Sequence, residues 1–131
     1  MKKRALITGA NGFAGQYLSN YLNSKGYELW GLDVDHQPGQ SAQNITVRAA
    51  DINSQEQIET VLAECRPAAI YHLAAQSSVA VSWQSPQTTM RVNLEGTINL
   101  LEAVKNLKLD SRILLVGSGE EYGAIQPEHL P

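Results

Sequence analysis

Short apolar runs alternate with segments of helical spacing along most of the chain. The apolar runs predict buried strands at residues 5–7, 27–32, 45–50, 68–73 and 112–116. Apolar residues at intervals of three and four predict helices from about residue 13 to Gly26, from Ser54 to Pro67, and from Ser85 to about Leu107. Proline, glycine and small polar residues interrupt the pattern at residues 34–44 and 74–83, which are predicted to be loops.

Strands that are apolar throughout and alternate with helices indicate a parallel sheet covered on both faces. Right-handed crossovers then favour an α/β, doubly wound (Rossmann) sheet with strand order 3-2-1-4-5. No helical pattern follows the fifth strand, where such a sheet normally has a helix. We therefore expect residues 1–131 to form a partial domain, truncated after that strand.

A glycine triplet, Gly9, Gly12 and Gly15, follows the first predicted strand and opens the first predicted helix. Glycine allows a sharp turn and a close approach of the backbone to a pyrophosphate, which the N–H groups of a helix end attract. This placement predicts an NAD(P)-binding loop. Its candidate cofactor-binding residues are Gly9, Asn11, Gly12, Phe13, Ala14 and Gly15.

Acidic residues follow the second and third predicted strands. Asp33 closes the second strand, where a carboxylate accepts hydrogen bonds from ribose hydroxyls and repels a 2′-phosphate, so the sequence favours NAD over NADP. Asp35 competes for this role. Asp51, followed by Ile52, either contacts the adenine edge or serves as a turn residue, and spacing alone leaves both readings open.

Composition narrows the function classes. Of the 131 residues, 43% are hydrophobic and 18% charged, which is ordinary for a globular domain. The net charge of -3 gives no electrostatic case for nucleic acid or an acidic membrane. No apolar run approaches the roughly 20 residues of a membrane helix, so the cytoplasm is the default location. The single cysteine, Cys65, is expected to pack in the core, and the three histidines lack metal-ligand spacing, so no metal is expected.

The glycine spacing, with two residues between successive glycines, resembles the extended short-chain dehydrogenase/reductase family. Four further segments match that family: Asp51-Ile52, His72-Leu73-Ala74-Ala75, Val92-Asn93-Leu94-Glu95-Gly96-Thr97 and Gly117-Ser118-Gly119-Glu120. The resemblance implies that Asp51 and Ile52 contact adenine and that Leu73, Ala74 and Ala75 pass beneath the cofactor. It implies that Asn93 binds the cofactor and supports the active site, and that Ser118 and Glu120 are catalytic.

Two segments narrow the resemblance, residues 74–83 and residues 116–123. They are similar to GDP-mannose 4,6-dehydratases and, more closely, to GDP-6-deoxy-D-mannose reductases. Dehydratases typically carry Gln-Asp where this chain has Phe13-Ala14, which favours the reductase. The resemblance implies that Ser118 binds the C4 oxygen of a GDP-4-keto-6-deoxyhexose, with Gln76, Ser77 and Ser78 on the nucleotide-sugar side. The alternatives are the dehydratase and a sugar-nucleotide 4-epimerase.

The Tyr-x-x-x-Lys pair of this family does not occur in the chain, because Gln126 stands where Tyr122 would need its lysine. We therefore expect the chain by itself to lack activity, and a C-terminal substrate domain to be absent. A non-catalytic dinucleotide-binding or sensor domain is the alternative of another class. The resemblance also implies a homodimer at full length, formed through the long helix near residues 86–107.

Overall fold

The computed structural model describes residues 2–35, 44–124 and 128. Its strands are β1 (Arg4–Thr8), β2 (Glu28–Asp33), β3 (Ile45–Ala49), β4 (Ala69–His72) and β5 (Arg112–Leu115). They form one five-stranded sheet in the order β3-β2-β1-β4-β5. All neighbouring strands are parallel, and Ala5 of β1 pairs with Leu29 on one side and Ala69 on the other. The predicted fold class and strand order are confirmed.

Helices cover both faces of the sheet, as the wholly apolar strands require. Successive residues of β1 point to opposite faces, so Leu6 belongs to one core cluster while Ala5 and Ile7 belong to the other. The Leu6 side is packed by α2 (Gln55–Cys65) and by α5 (Gly96–Asn106). The Ala5 side is packed by α1 (Phe13–Ser24), through Leu22. Because all the strands are parallel, the turns that follow their carboxyl ends lie at the same edge of the sheet.

The starts and ends of the predicted helices are set by local chemistry. Helix α1 ends before Gly26, whose φ of 81° suits the expected glycine stop. The Ser54 hydroxyl accepts the N–H of Gln57 and caps α2, as the sequence pattern predicts. The return bond of a full capping box is not made to Ser54, because the Gln57 side chain instead accepts the N–H of Asp51.

The prediction of a loop over residues 74–83 is wrong at its end. A short helix, α3 (Val79–Gln84), forms there because the Ser78 hydroxyl accepts the N–H of Val81 and caps it. Its residues are mostly exposed, so the apolar spacing that marks a packed helix is weak. A cap acting on so few residues leaves little trace in the hydrophobic pattern.

The long helix expected after Ser85 is present but not uniform. It consists of α4 (Pro86–Met90), a π-helical segment (Arg91–Glu95) and α5, with Pro86 at its first position. The Ser85 side chain does not cap it, since its hydroxyl lies 2.7 Å from the Thr88 hydroxyl. Inside the π segment the Gly96 N–H donates to the Arg91 carbonyl. Such π turns occur frequently at functional sites.

The apolar positions that indicated this helix do not all face the core. Leu100, Ala103 and Val104 are buried against the sheet, whereas a second row is exposed: Met90, Leu94, Ile98 and Leu101. Within the described part of the chain, one side of the helix therefore carries a row of exposed apolar side chains.

We predict that replacing Gly15 by alanine destabilises the fold. A Cβ there would lie 2.5 Å from the Gly9 carbonyl oxygen and 2.7 Å from that of Ala10, both rigid backbone atoms. The free energy of unfolding, measured by denaturant titration of the full-length protein, should fall by about 1–3 kcal/mol, as for other overpacked sites. The matched variant Gly117→Ala, whose Cβ would meet nothing within 4 Å, should change it by less than about 0.5 kcal/mol. Equal stability of both variants would contradict the close approach.

Candidate functional site

The turn between β1 and α1 is built on two close backbone approaches. Gly9 has a φ of 71°, and a Cβ there would lie 2.9 Å from the Ala74 nitrogen. Gly15, in the first turn of α1, faces the Gly9 and Ala10 carbonyls. The first N–H groups of a helix have no intrahelical partners, and within the described residues no side chain caps α1. This end of the helix therefore offers N–H groups and a positive dipole to an anion.

The turn is tied to the end of β2 by hydrogen bonds to two aspartates. The backbone N–H of Asn11 donates to Asp33 Oδ2 at 3.0 Å, and the Asn11 side-chain amide donates to the Asp35 carbonyl at 2.6 Å. The Asp35 N–H donates to the other oxygen of Asp33 at 3.3 Å. Each carboxylate oxygen of Asp33 thus accepts one backbone N–H, which fixes the carboxylate at the rim of the turn.

Asp51 lies after β3 as a turn residue. Its Oδ1 accepts both the backbone N–H of Asn53 at 2.9 Å and the Asn53 side-chain amide at 3.0 Å. Asn99 of α5 donates to the carbonyl of the buried Ile52 at 3.2 Å and so ties this turn to the helix. Asp51 is therefore a turn residue, which is one of the two interpretations of its position. Asp51 also lines a groove, so this role is compatible with a contact to a ligand.

That groove runs along the carboxyl edge of the sheet and has a volume of about 790 Å³. The glycine turn forms one wall, the residues after β2 and β3 form one end, and the loop after β4 forms the other. The structure brings together these predicted cofactor residues: Gly9, Asn11, Gly12, Phe13, Ala14, Gly15, Asp33, Asp51, Ile52, Leu73, Ala74 and Ala75. Asp35 and Asn53 also line it.

A second groove, of about 570 Å³, opens on the other side of the loop after β4. Gln76, Ser77, Ser78, Asn93 and Ser118, all predicted site residues, line it. The two grooves share a wall of small or apolar residues: Ala14, Leu73, Ala74, Ala75 and Ser77. The two grooves therefore adjoin along these residues.

Asn93 holds the loop that separates the grooves. Its side-chain oxygen accepts the Gln76 N–H at 2.7 Å, and its amide donates to the Gln76 carbonyl at 3.0 Å. The Gln76 side chain donates to the Ser78 carbonyl and to the Thr89 hydroxyl. Asn93 lies in the π segment. The irregular turn of the helix is therefore the part that forms hydrogen bonds with the loop.

A buried polar network that sequence reasoning did not assemble lies beneath this loop. The Thr8 hydroxyl accepts the Ala74 N–H at 3.1 Å and lies 2.7 Å from His72 Nδ1. His72 Nε2 lies 3.0 Å from the Thr97 hydroxyl. Burial lowers the pKa of His72. His72 is therefore a buried histidine with a hydrogen-bond partner at each ring nitrogen. The spacing of Asn93 and Thr97 by one helical turn was the signal in the sequence for the rest of the network.

The other residues that the sequence pointed to lie apart from this network. Glu120 lies in a 3-10 turn, Gly119–Tyr122, and its side chain is outside the described residues, as are His36, Gln126 and His129. Cys65 is fully buried, which raises the pKa of its thiol to about 12 and fits a packing role. Among the described residues, no three His, Cys, Asp or Glu side chains gather as a metal site. Nor does any helix in the described ranges have the length and apolar character needed to cross a membrane.

The chain matches proteins of known families over most of its length. The profile of a family described as GDP-mannose 4,6 dehydratase matches residues 6–130. A GDP-mannose 4,6-dehydratase of Vibrio cholerae serotype O1 is 38% identical over 95% of this chain and 38% of its own length. One from Yersinia enterocolitica is 34% identical over 95% of this chain and 37% of its own length. The chain thus spans well under half of these relatives.

Among solved structures, a UDP-glucose 4-epimerase of Thermus thermophilus, in complex with NAD, superposes with a TM-score of 0.75. It is 33% identical, and the match covers 81% of this chain and 35% of the epimerase. Fold, glycine turn and family profile agree, and the chain belongs to the GDP-mannose 4,6 dehydratase family.

Proposed function

We propose that this chain is the dinucleotide-binding part of a nucleotide-sugar oxidoreductase that reduces the C4 ketone of a GDP-4-keto-6-deoxyhexose. The observation that carries the proposal is the shared wall between the two grooves. The same residues line both grooves, so a dinucleotide in the larger groove would have its reacting end next to a sugar in the smaller one, as hydride transfer requires.

The residues of the larger groove fit an adenine dinucleotide. The backbone at Gly9 and Gly15 leaves no room for a Cβ, and the uncapped end of α1 suits a pyrophosphate. Asp33 sits where a ribose diol would donate hydrogen bonds, and Asp51 and Ile52 lie at the end suited to adenine. The NAD complex of the Thermus thermophilus epimerase supports the same class of cofactor. NAD rather than NADP is our choice, because Asp33 would repel a 2′-phosphate.

When bound, the reduced dinucleotide would supply a hydride to C4 of the sugar. The C4 oxygen would take its proton from a general acid, in this family the tyrosine of the Tyr-x-x-x-Lys pair, which residues 1–131 do not contain. The chain's own residues would bind and orient the reactants: the small side chains of Ala74 and Ala75 would allow a flat ring to approach, and Ser118 lines the smaller groove, where its hydroxyl would bond the C4 oxygen. Gln76, Ser77 and Ser78 line the same groove on the substrate side. Asn93 acts by holding the Gln76 backbone.

Dehydration of GDP-mannose is the second candidate, because the curated relatives carry that name. Elimination across C5 and C6 needs acid–base groups in addition to hydride transfer. None of the described residues lining the smaller groove is a carboxylate, and Ala14, shared by both grooves, stands where dehydratases typically carry aspartate. These observations favour the reductase. Glu120 is the one acid that the family resemblance assigns to the site.

The exposed row Met90, Leu94, Ile98 and Leu101 supports a homodimer built on this helix in the full-length protein. We propose the cytoplasm as its location, with a nucleotide sugar as its small-molecule partner.

We predict that the full-length protein oxidises NADH in the presence of a GDP-4-keto-6-deoxyhexose, and that Ser118→Ala lowers kcat about 10²-fold, as for other lost donors to a reacting oxygen. The measurement is NADH absorbance together with product identification. The matched variant Ser24→Ala, exposed on α1, should leave kcat unchanged. Formation of a 4-keto sugar from GDP-mannose, without net NADH oxidation, would instead establish the dehydratase.

Cofactor choice gives a second prediction. Asp33→Asn removes a negative charge at the ribose end, so the ratio of NADPH to NADH affinity should rise about tenfold, or ~1.4 kcal/mol. Fluorescence titration of the full-length protein measures both affinities. Asp35→Asn is the matched variant, since Asp35 lines the same groove and accepts the Asn11 amide through its backbone carbonyl, which the substitution keeps. If only Asp35→Asn moved the ratio, the assignment to Asp33 would be wrong.

A further inference from the structure

The loop between the two grooves, residues 73–78, is held from below at two points. The Thr8 hydroxyl accepts the Ala74 N–H at 3.1 Å, and the Asn93 side chain bonds both backbone groups of Gln76. One anchor belongs to the end of β1 and the other to the π segment of the long helix. His72 lies between them, within hydrogen-bond distance of Thr8 on one side and Thr97 on the other.

The donor and acceptor of each hydrogen bond in this network can be assigned by starting from Thr97 on the helix. The Thr97 hydroxyl donates its one proton to the Asn93 carbonyl at 2.7 Å. It must therefore accept from His72 Nε2, 3.0 Å away, which places a proton on Nε2. His72 is buried and has no carboxylate among its hydrogen-bond partners, so its imidazole is neutral and carries no second proton.

Nδ1 of His72 is then an acceptor, and the Thr8 hydroxyl, 2.7 Å away, donates to it. The same Thr8 oxygen still accepts the Ala74 N–H. Each group in this series of hydrogen bonds has a single role. The Ala74 N–H donates to the Thr8 hydroxyl, and Thr8 donates to His72. His72 donates to the Thr97 hydroxyl, which donates to the Asn93 carbonyl. One imidazole thus connects the two anchors of the loop.

We propose that His72, as the neutral Nε2–H tautomer, is a positioning residue that sets the loop of residues 73–78 against the nicotinamide end of the larger groove. The inference rests on the proposed function, because it assigns that end of the groove to the reacting ring. His72 and Thr97 lie at the base of the smaller groove, and His72 is proposed to act on the loop through Ala74 and through Asn93. The adenine end, formed around Asp51, lies outside the network.

The expected signature is a split between the two ends of the cofactor. Thr97→Val removes the hydroxyl that links His72 to Asn93 while keeping the shape of the side chain. In the full-length protein it should lower kcat of the reductase assay about 10- to 100-fold, as expected for a misplacement on the order of 1 Å. NADH affinity should weaken with it, whereas affinity for ADP-ribose, which lacks the nicotinamide, should stay within about twofold.

The matched variant Thr97→Ser keeps the hydroxyl and should restore kcat and NADH affinity. A merely structural role predicts something different: Thr97→Val would weaken NADH and ADP-ribose equally, in step with a lower Tm. Any of three results would overturn the proposal: that equal weakening, an unchanged kcat in Thr97→Val, or failure of Thr97→Ser to restore kcat and NADH affinity.

The tautomer has its own test, which does not depend on activity. Nitrogen-15 NMR of histidine-labelled full-length protein at neutral pH should show the Nε2–H pattern for His72, identified by its loss in His72→Gln. A cationic ring or an Nδ1–H tautomer would overturn the assignment.

The two proposals fail in different ways. If the wild-type protein bound neither NADH nor ADP-ribose, the proposed function would be wrong. If it bound both and turned over, while Thr97→Val matched it in every respect, only the positioning role would be wrong.

Discussion

Three backbone segments meet at the carboxyl edge of the sheet, and the rest of the site depends on how closely they approach. The turn at Gly9 lies against the loop at Ala74, and the first turn of α1 lies against the Gly9 carbonyl at Gly15. No side chain larger than hydrogen fits at either glycine. Because no Cβ stands at these two positions, a ligand in the groove can approach the backbone there closely.

Around this contact, side chains fix the segments relative to one another. Asn11 ties the glycine turn to Asp33 and Asp35 after β2, and Asn93 ties the long helix to Gln76. His72 links β1 to the same helix. The groove therefore has a rim of carboxylates at one end and a wall of small residues at the other. This asymmetry suits a ligand with polar hydroxyls at one end and a flat reacting ring at the other.

The fold and much of the larger groove were predictable from the sequence, because apolar periodicity and glycine placement are local signals. The parallel sheet order and the glycine turn followed directly from them. The short helix α3 was missed because a single Ser78 cap, rather than an apolar face, forms it. The network of Thr8, His72 and Thr97 was missed because its members lie far apart in sequence: Thr8 meets His72 through the pairing of β1 with β4, and Thr97 reaches His72 only from α5. The interruption of the long helix by a π turn at Asn93 likewise leaves no periodic signature.

We propose that a dinucleotide lies along this edge, with adenine near Asp51 and nicotinamide over the wall at Ala74 and Ala75. The decisive measurement is a crystal structure of the full-length protein grown with NADH. We expect the pyrophosphate to lie on the N–H groups of Gly12 to Gly15, the adenosine ribose on Asp33, and the nicotinamide beside Ser118. A dinucleotide bound in the reverse direction, or density for NADH anywhere other than this groove, would contradict it.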